Sequence, residues 1–69
     1  MLTPNIKKRL KLEGEILRER RQNLALSRQD VANAIDRSAS LIQHIENGED
    51  NNFTVIEQLH KYYDFCEGK

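Results

Sequence analysis

Two histidines and one cysteine, His44, His60 and Cys66, are the side chains of this sequence best suited to metal binding or nucleophilic chemistry. Their spacing lacks the paired pattern of a zinc site, and no convincing base and nucleophile set accompanies them. The sequence also has no glycine-rich phosphate loop. We therefore expect no enzymatic activity, no cofactor and no metal site, with these three residues scattered over the surface.

Basic side chains give the sequence a second kind of chemistry, the binding of phosphate. The formal net charge is zero, yet residues 1–28 carry eight basic and three acidic side chains, and residues 29–69 carry three basic and eight acidic ones. Clustered lysine and arginine release counterions from nucleic acids, so the first half is suited to phosphates and the second half repels them. Solvated helices with ordinary surface charges explain the same division about equally well.

The length and composition limit the elements that can position these residues. A chain of 69 residues holds one domain with a small core, which short helices build best. The single cysteine cannot form an intrachain disulfide, and no apolar run approaches the roughly 18 residues of a membrane span. The first residues lack the apolar stretch of a signal peptide. These features predict a cytoplasmic protein without a membrane segment.

Apolar spacing divides the chain into four helical segments. In the first segment, apolar residues recur at four- and seven-residue steps: Ile6, Leu10, Leu17 and Leu24. This pattern predicts a helix over about residues 4–23, with Thr3 as its N-cap. Gly14 weakens its middle, so residues 1–15 are expected either as the first part of this helix or as an N-terminal arm. No segment alternates at period two, and we predict an all-α bundle of four to five helices.

Capping signals mark the next two helices. Ser27, with Asp30 three residues later, is a variant capping box that opens a helix ending near Ile35. Ser38 caps a third helix of about three turns. Gly48 is the expected left-handed terminator of that helix.

The two short helices within residues 26–48 have the geometry of a helix-turn-helix pair, although any helical hairpin fits these features about as well. The small Ala32 allows two helices to cross closely. After a polar stretch, Asn52 caps a fourth helix over residues 53–65. Its inward stripe is predicted to contain Phe53, Ile56, Leu59 and Tyr63.

Residues 26–48 resemble the Cro/CI (phage-repressor, XRE-type) helix-turn-helix class of bacteria and phages. The similarity continues upstream to Leu17 and downstream to Leu59. It implies a lambda-repressor-like fold and a sequence-specific transcriptional regulator, expected to be a repressor associated with the nucleoid. The residues that match in both type and spacing are Leu26, Ser27, Val31, Ala32, Ile35, Ser38, Ile42, Ile45, Glu46 and Gly48.

Two positions in the turn of the motif depart from the family pattern. Asp36 stands where glycine is usual, and aspartate tolerates the left-handed conformation better than most side chains. Arg37 stands where an apolar residue is usual. We expect Arg37 to lay its aliphatic stem over the core and to direct its guanidinium group to a phosphate.

The resemblance also implies roles on double-stranded DNA, because the second helix of the motif enters the major groove in this family. Matching positions place base readout at Ala39, Ser40, Gln43 and His44. Phosphate contacts are expected from Ser27, Arg28, Arg37, Ser38, Arg18 and Arg21. None of the base-reading residues is the arginine that most often contacts guanine, which implies modest direct discrimination. Helix capping by the two serines and ordinary surface exposure of Gln43 and His44 are the competing interpretations.

Members of this family usually bind palindromic operators as homodimers. Three of the four aromatic residues lie near the C-terminus, namely Tyr62, Tyr63 and Phe65. A small monomer rarely buries them all, so this region is the candidate dimer surface. We expect one of Tyr63 and Phe65 in the core and the other at the interface.

Two other functions fit the same motif. Gly14-Glu15 and Leu17-Arg18, followed by the start of the motif, resemble the cytoplasmic domain of the cell-shape protein RodZ, where this fold is thought to engage a cytoskeletal filament. Leu41 favours such protein docking, since an exposed leucine suits a protein groove better than a base edge, whereas the lack of a membrane segment counts against it. An antitoxin, which binds its own operator and holds a toxin on another surface, is the third interpretation.

Overall fold

A computed structural model describes residues 4–68, which form four α-helices and no β-strand within that range. The helices are α1 (Pro4–Asn23), α2 (Arg28–Ile35), α3 (Ala39–Glu46) and α4 (Phe53–Cys66). The all-α prediction is therefore confirmed. The predicted cap Thr3 lies outside the described residues.

Helix α1 passes through Gly14 without a break, so residues 4–15 are the first part of one helix and not a separate arm. Gly14 is buried because α1 crosses the end of α3 at this point. A Cβ atom built at Gly14 would lie 2.4 Å from the carbonyl oxygens of both Ile45 and Glu46. The missing side chain thus permits a close approach of two backbones.

The predicted caps of α2 form as expected. The Asp30 amide donates to Ser27 Oγ at 3.0 Å, and the Ser27 amide donates to Asp30 Oδ2 at 3.0 Å, which completes a capping box. At the other end, Asp36 adopts the left-handed conformation with φ 58° and ψ 51°. The Arg37 amide then donates to the Ala32 carbonyl at 2.8 Å, so aspartate performs the role of the usual glycine.

The caps of α3 and α4 also match their predictions. Ser38 Oγ accepts from the Leu41 amide at 3.2 Å, and Asn52 Oδ1 accepts from the Val55 amide at 3.3 Å. Gly48 follows α3 with φ 75°, as its predicted role as a left-handed terminator requires.

A single apolar cluster joins the four helices. Its buried members are Leu10, Leu17, Val31, Ala32, Ile42, Ile45, Val55, Ile56, Leu59 and Tyr63. The predicted inward stripe of α4 is correct except at Phe53, whose side chain is 66% exposed. Val55 is buried instead, because Phe53 is the first residue of α4 and lies at the rim of the core.

Candidate nucleic-acid interface

Helix α3 presents a polar face outward. Ile42 and Ile45 are buried in the core, whereas Ser40, Gln43 and His44 are exposed. The predicted base-reading residue Ala39 and the candidate docking residue Leu41 differ from these three, because each is half-buried and packs against the core. The outward chemistry of α3 is therefore one hydroxyl, one amide and one imidazole.

An acidic side chain lies at the C-terminal end of this face. Glu49 Oε1 accepts a hydrogen bond from the Asn47 amide group at 3.1 Å and lies 3.6 Å from His44 Nδ1. The second distance is too long for a direct hydrogen bond. The side chain of His44 is 56% exposed and remains accessible from solvent.

An ion pair links the start of α2 to the end of α3. Arg28 Nε donates to Glu46 Oε1 at 3.0 Å, and the Arg28 side chain is 38% exposed. Ser27, the N-cap of α2, is also exposed. This corner combines a helix N-terminus with an arginine, which are two features that attract anions.

Arg21 was predicted to contact phosphate, but it does not lie on the surface. It is 7% exposed, and its guanidinium donates from Nε and Nη2 to both oxygens of the buried Glu46, at 2.7 and 3.2 Å. Arg21 Nη1 donates to the Leu26 carbonyl at 2.9 Å. Hydrogen bonding to Glu46 raises the pKa of Arg21 above its ordinary value, against the opposing effect of burial. This burial counts against Arg21 as a phosphate contact.

Glu46 matches the family pattern in the sequence, but the sequence alone assigned it no function. Its carboxylate bridges Arg21 of α1 and Arg28 of α2 from the last residue of α3. A signal for this pairing is present, because Arg21 follows the buried Leu17 by one helical turn and precedes Leu24 by three residues, on the buried stripe of α1. A charged residue at such a position requires a buried partner.

The remaining predicted phosphate contacts are more accessible. Arg37 and Ser38 are exposed, and Arg18 is half-buried. In the part of the chain that the structure describes, neither Arg18 nor Arg37 forms a side-chain ion pair. The packing of the Arg37 stem over the core stays a prediction, and the residue as a whole is exposed.

A second polar network connects α1 to α4. Arg20 forms ion pairs with Asp64 at 2.6 Å and Glu67 at 2.9 Å, and it donates to His60 Nδ1 at 2.9 Å. The other ring nitrogen of His60 contacts Glu13. His60 is thus part of a helix–helix contact. Basic residues of the first half pair here with acids of the second half, so the charge division along the sequence is partly cancelled in the fold.

The aromatic residues near the C-terminus are divided between core and surface. Tyr63 is fully buried, and burial raises the pKa of its hydroxyl above the ordinary value. Tyr62 is half-buried against the core, whereas Phe65 is 78% exposed and Cys66 is exposed. Of the candidate dimer residues, Phe65 is therefore the one most accessible to a partner.

Residues 14–68 match a protein family described as "Helix-turn-helix domain". This match includes the second part of α1 and all of α2, α3 and α4. No curated protein and no solved structure matches the chain significantly. Among the described residues, no helix is both long and apolar enough to cross a membrane. The chain therefore belongs to the helix-turn-helix domain family, and this membership indicates a DNA-binding regulator.

Proposed function

We propose that the protein is a sequence-specific transcriptional repressor of the Cro/CI, XRE-type class, which reads the major groove of double-stranded DNA with α3. The observation that carries this proposal is the exposed polar face of α3, backed by the buried Ile42 and Ile45. An α-helix with its side chains is about 10–12 Å in diameter, and the major groove of B-form DNA is about 12 Å wide. The exposed face of α3 can therefore enter the groove while its apolar face stays in the core.

The outward residues of α3 have defined chemistry toward base edges. Ser40 exchanges hydrogen bonds with several bases, Gln43 makes paired hydrogen bonds to adenine, and His44 donates to a purine nitrogen or oxygen. Ala39 contributes the smaller, half-buried surface that contacts a thymine methyl group. This set supports modest direct discrimination, because it includes no arginine for guanine.

Phosphate contacts come from both sides of α3 in this proposal. Ser27 and Arg28 form one contact at the N-terminus of α2, and Ser38 with Arg37 forms another at the turn. Arg18 extends the basic rim. Arg21 is left out, since its guanidinium is committed to Glu46 and the Leu26 carbonyl.

The same proposal includes a homodimer on a palindromic operator. Two half-sites about one helical turn apart require two copies of α3 related by twofold symmetry. The exposed Phe65 and the half-buried Tyr62 supply an apolar surface at the end of α4 for this contact. Tyr63 supports the contact from the core.

A salt titration of DNA binding tests the proposal. Fluorescence anisotropy with a labelled random-sequence duplex should show affinity that falls as salt rises, since phosphate contacts release counterions. Arg28→Ala should weaken binding to all sequences and reduce the slope of log K against log salt by about one. Lys61→Ala is the matched control, because Lys61 carries the same charge on an exposed α4 position and pairs with Glu57. Salt-insensitive binding, or equal effects of the two variants, contradicts the proposal.

The two alternative functions lack a specific supporting contact. Protein docking of the RodZ kind was favoured by an exposed Leu41, but Leu41 is half-buried and packs against the core. Leu41→Ser should therefore lower stability, whereas the docking interpretation requires loss of partner capture with stability unchanged. An antitoxin requires a second surface for a toxin, and its DNA-binding face is the same as the one proposed.

A further inference from the structure

We propose that Glu46 is a positioning residue for DNA binding, which holds the Arg28 guanidinium ready for one phosphate while Arg21 balances the charge of Glu46. This inference rests on the proposed phosphate contact of Arg28 and assigns a new role to the two buried partners behind it. Glu46 itself is 1% exposed and cannot touch DNA.

The charges of the cluster formed by Arg21, Arg28 and Glu46 explain why Arg28 can still attract an anion. Two guanidinium groups share one carboxylate, which leaves one net positive charge. Arg21 contacts both oxygens of Glu46 from the interior, so the carboxylate is already balanced before Arg28 is counted. The surplus charge therefore lies on the partly exposed member, Arg28.

The donors of the two arginines are used differently. Arg21 directs Nε, Nη1 and Nη2 to acceptors of the protein. Arg28 directs only Nε to Glu46, and its two Nη groups have no hydrogen-bond partner within residues 4–68. A guanidinium fixed at Nε loses less side-chain freedom when its outer donors bind a phosphate oxygen.

Arg37 provides the matched comparison within the same interface. It carries the same charge near the turn of the motif, but it is exposed and has no ion pair among the described residues. Lysine preserves the charge at either position and removes the guanidinium Nε. Substitution by lysine therefore separates the contribution of the charge to DNA affinity from the contribution of a fixed guanidinium position.

The experiment compares Arg28→Lys with Arg37→Lys in anisotropy titrations on a random-sequence duplex, with urea unfolding as a second measurement. Arg28→Lys should weaken binding about five- to tenfold, and Arg37→Lys by less than about twofold. The salt slope should stay unchanged in both variants, because the number of charges is preserved. If the wild-type protein binds DNA and the two substitutions weaken binding equally, this inference alone is overturned. If the wild-type protein shows no salt-sensitive DNA binding, the proposed function is overturned.

For Glu46→Gln, the direction of the change in DNA affinity distinguishes the two explanations. Removal of one negative charge should strengthen DNA binding if only net charge matters. The positioning role predicts weaker binding, because Glu46 accepts three arginine N–H groups on two oxygens, whereas glutamine keeps one oxygen and replaces the other by an NH₂ donor. Tighter binding by a folded Glu46→Gln protein contradicts the proposal. Should this variant fail to fold, the two lysine variants decide the outcome, since Arg21 still balances Glu46 in both of them.

Discussion

Replacement of Gly14 by alanine tests the close crossing of α1 and α3, which places the reading helix against the rest of the fold. Helix propensity alone predicts that alanine stabilises an interior helical position by about 1 kcal/mol relative to glycine. The structure predicts the opposite sign. The new methyl group would lie 2.4 Å from the carbonyl oxygens of Ile45 and Glu46 and 2.7 Å from the carbonyl carbon of Glu46.

The magnitude follows from the size of the displacement that this contact requires. Ordinary contacts of a Cβ atom begin near 3.4 Å, so α1 and α3 must separate by about 1 Å. The atoms in the way belong to the backbone and cannot rotate aside. Overpacking costs about 1–3 kcal/mol in cores, and separation of the helices also strains the buried Arg21–Glu46 pair. We expect Gly14→Ala to lower the free energy of unfolding by about 2–4 kcal/mol, a large share of the 5–15 kcal/mol usual for domains.

Urea unfolding followed by circular dichroism measures this change. The neighbouring Glu15 provides the control, because it is exposed on the same helix. Glu15→Ala should be more stable than Glu15→Gly by about 1 kcal/mol, which calibrates helix propensity in α1. If Gly14→Ala raises the urea midpoint as the Glu15 pair does, then α1 and α3 do not approach as closely as described.

Three further substitutions and one crosslink test other features. Ala25→Gly should stabilise the fold by about 1 kcal/mol in thermal unfolding, since Ala25 has a φ of 57° that glycine adopts without strain; destabilisation contradicts this. Tyr63→Phe should be neutral or stabilising by up to about 1 kcal/mol, because the buried hydroxyl has no hydrogen-bond partner in the described part of the chain; a loss reveals a bond to that hydroxyl. Hydrogen bonds from the Ser27 backbone amide and side chain hold the pKa of Asp30 below its ordinary 3.8, so its capping contribution is complete above that pH and disappears as the pH falls through the lower folded value. Asp30→Asn should remove this part of the acid sensitivity, and an unchanged pH profile of stability refutes it. A bismaleimide should join two copies through the exposed Cys66 if the ends of α4 meet in the dimer; monomer alone at high concentration contradicts that contact.

Local chemistry made the boundaries of the helices predictable. Ser27, Ser38 and Asn52 each satisfy a backbone amide three residues later, so the signal and its effect lie within one helical turn. The left-handed conformation of Asp36 was equally predictable from the sequence, because tolerance of that conformation is a property of aspartate itself.

Contacts between distant segments were not predictable in the same way. Arg21 and Glu46 are 25 residues apart, and their pairing depends on where α1 crosses α3. The role of Gly14 depends on that same crossing, since helix propensity alone identifies glycine only as a weak helix former. Exposure of Phe53 likewise follows from the end of the core and not from its spacing along α4. For the candidate site, the sequence therefore indicated the exposed residues of α3 and missed the buried support behind Arg28.

Selection of bound fragments from random double-stranded DNA tests the central claim most directly. The wild-type protein should enrich a twofold-symmetric sequence, and Ser40→Ala and His44→Ala should each relax the preference at particular base pairs. Arg28→Ala should keep the same preferred sequence with lower affinity, since phosphate contacts carry no base information. Failure of the wild-type protein to enrich any sequence, or an identical preference in both α3 variants, would contradict base reading by α3.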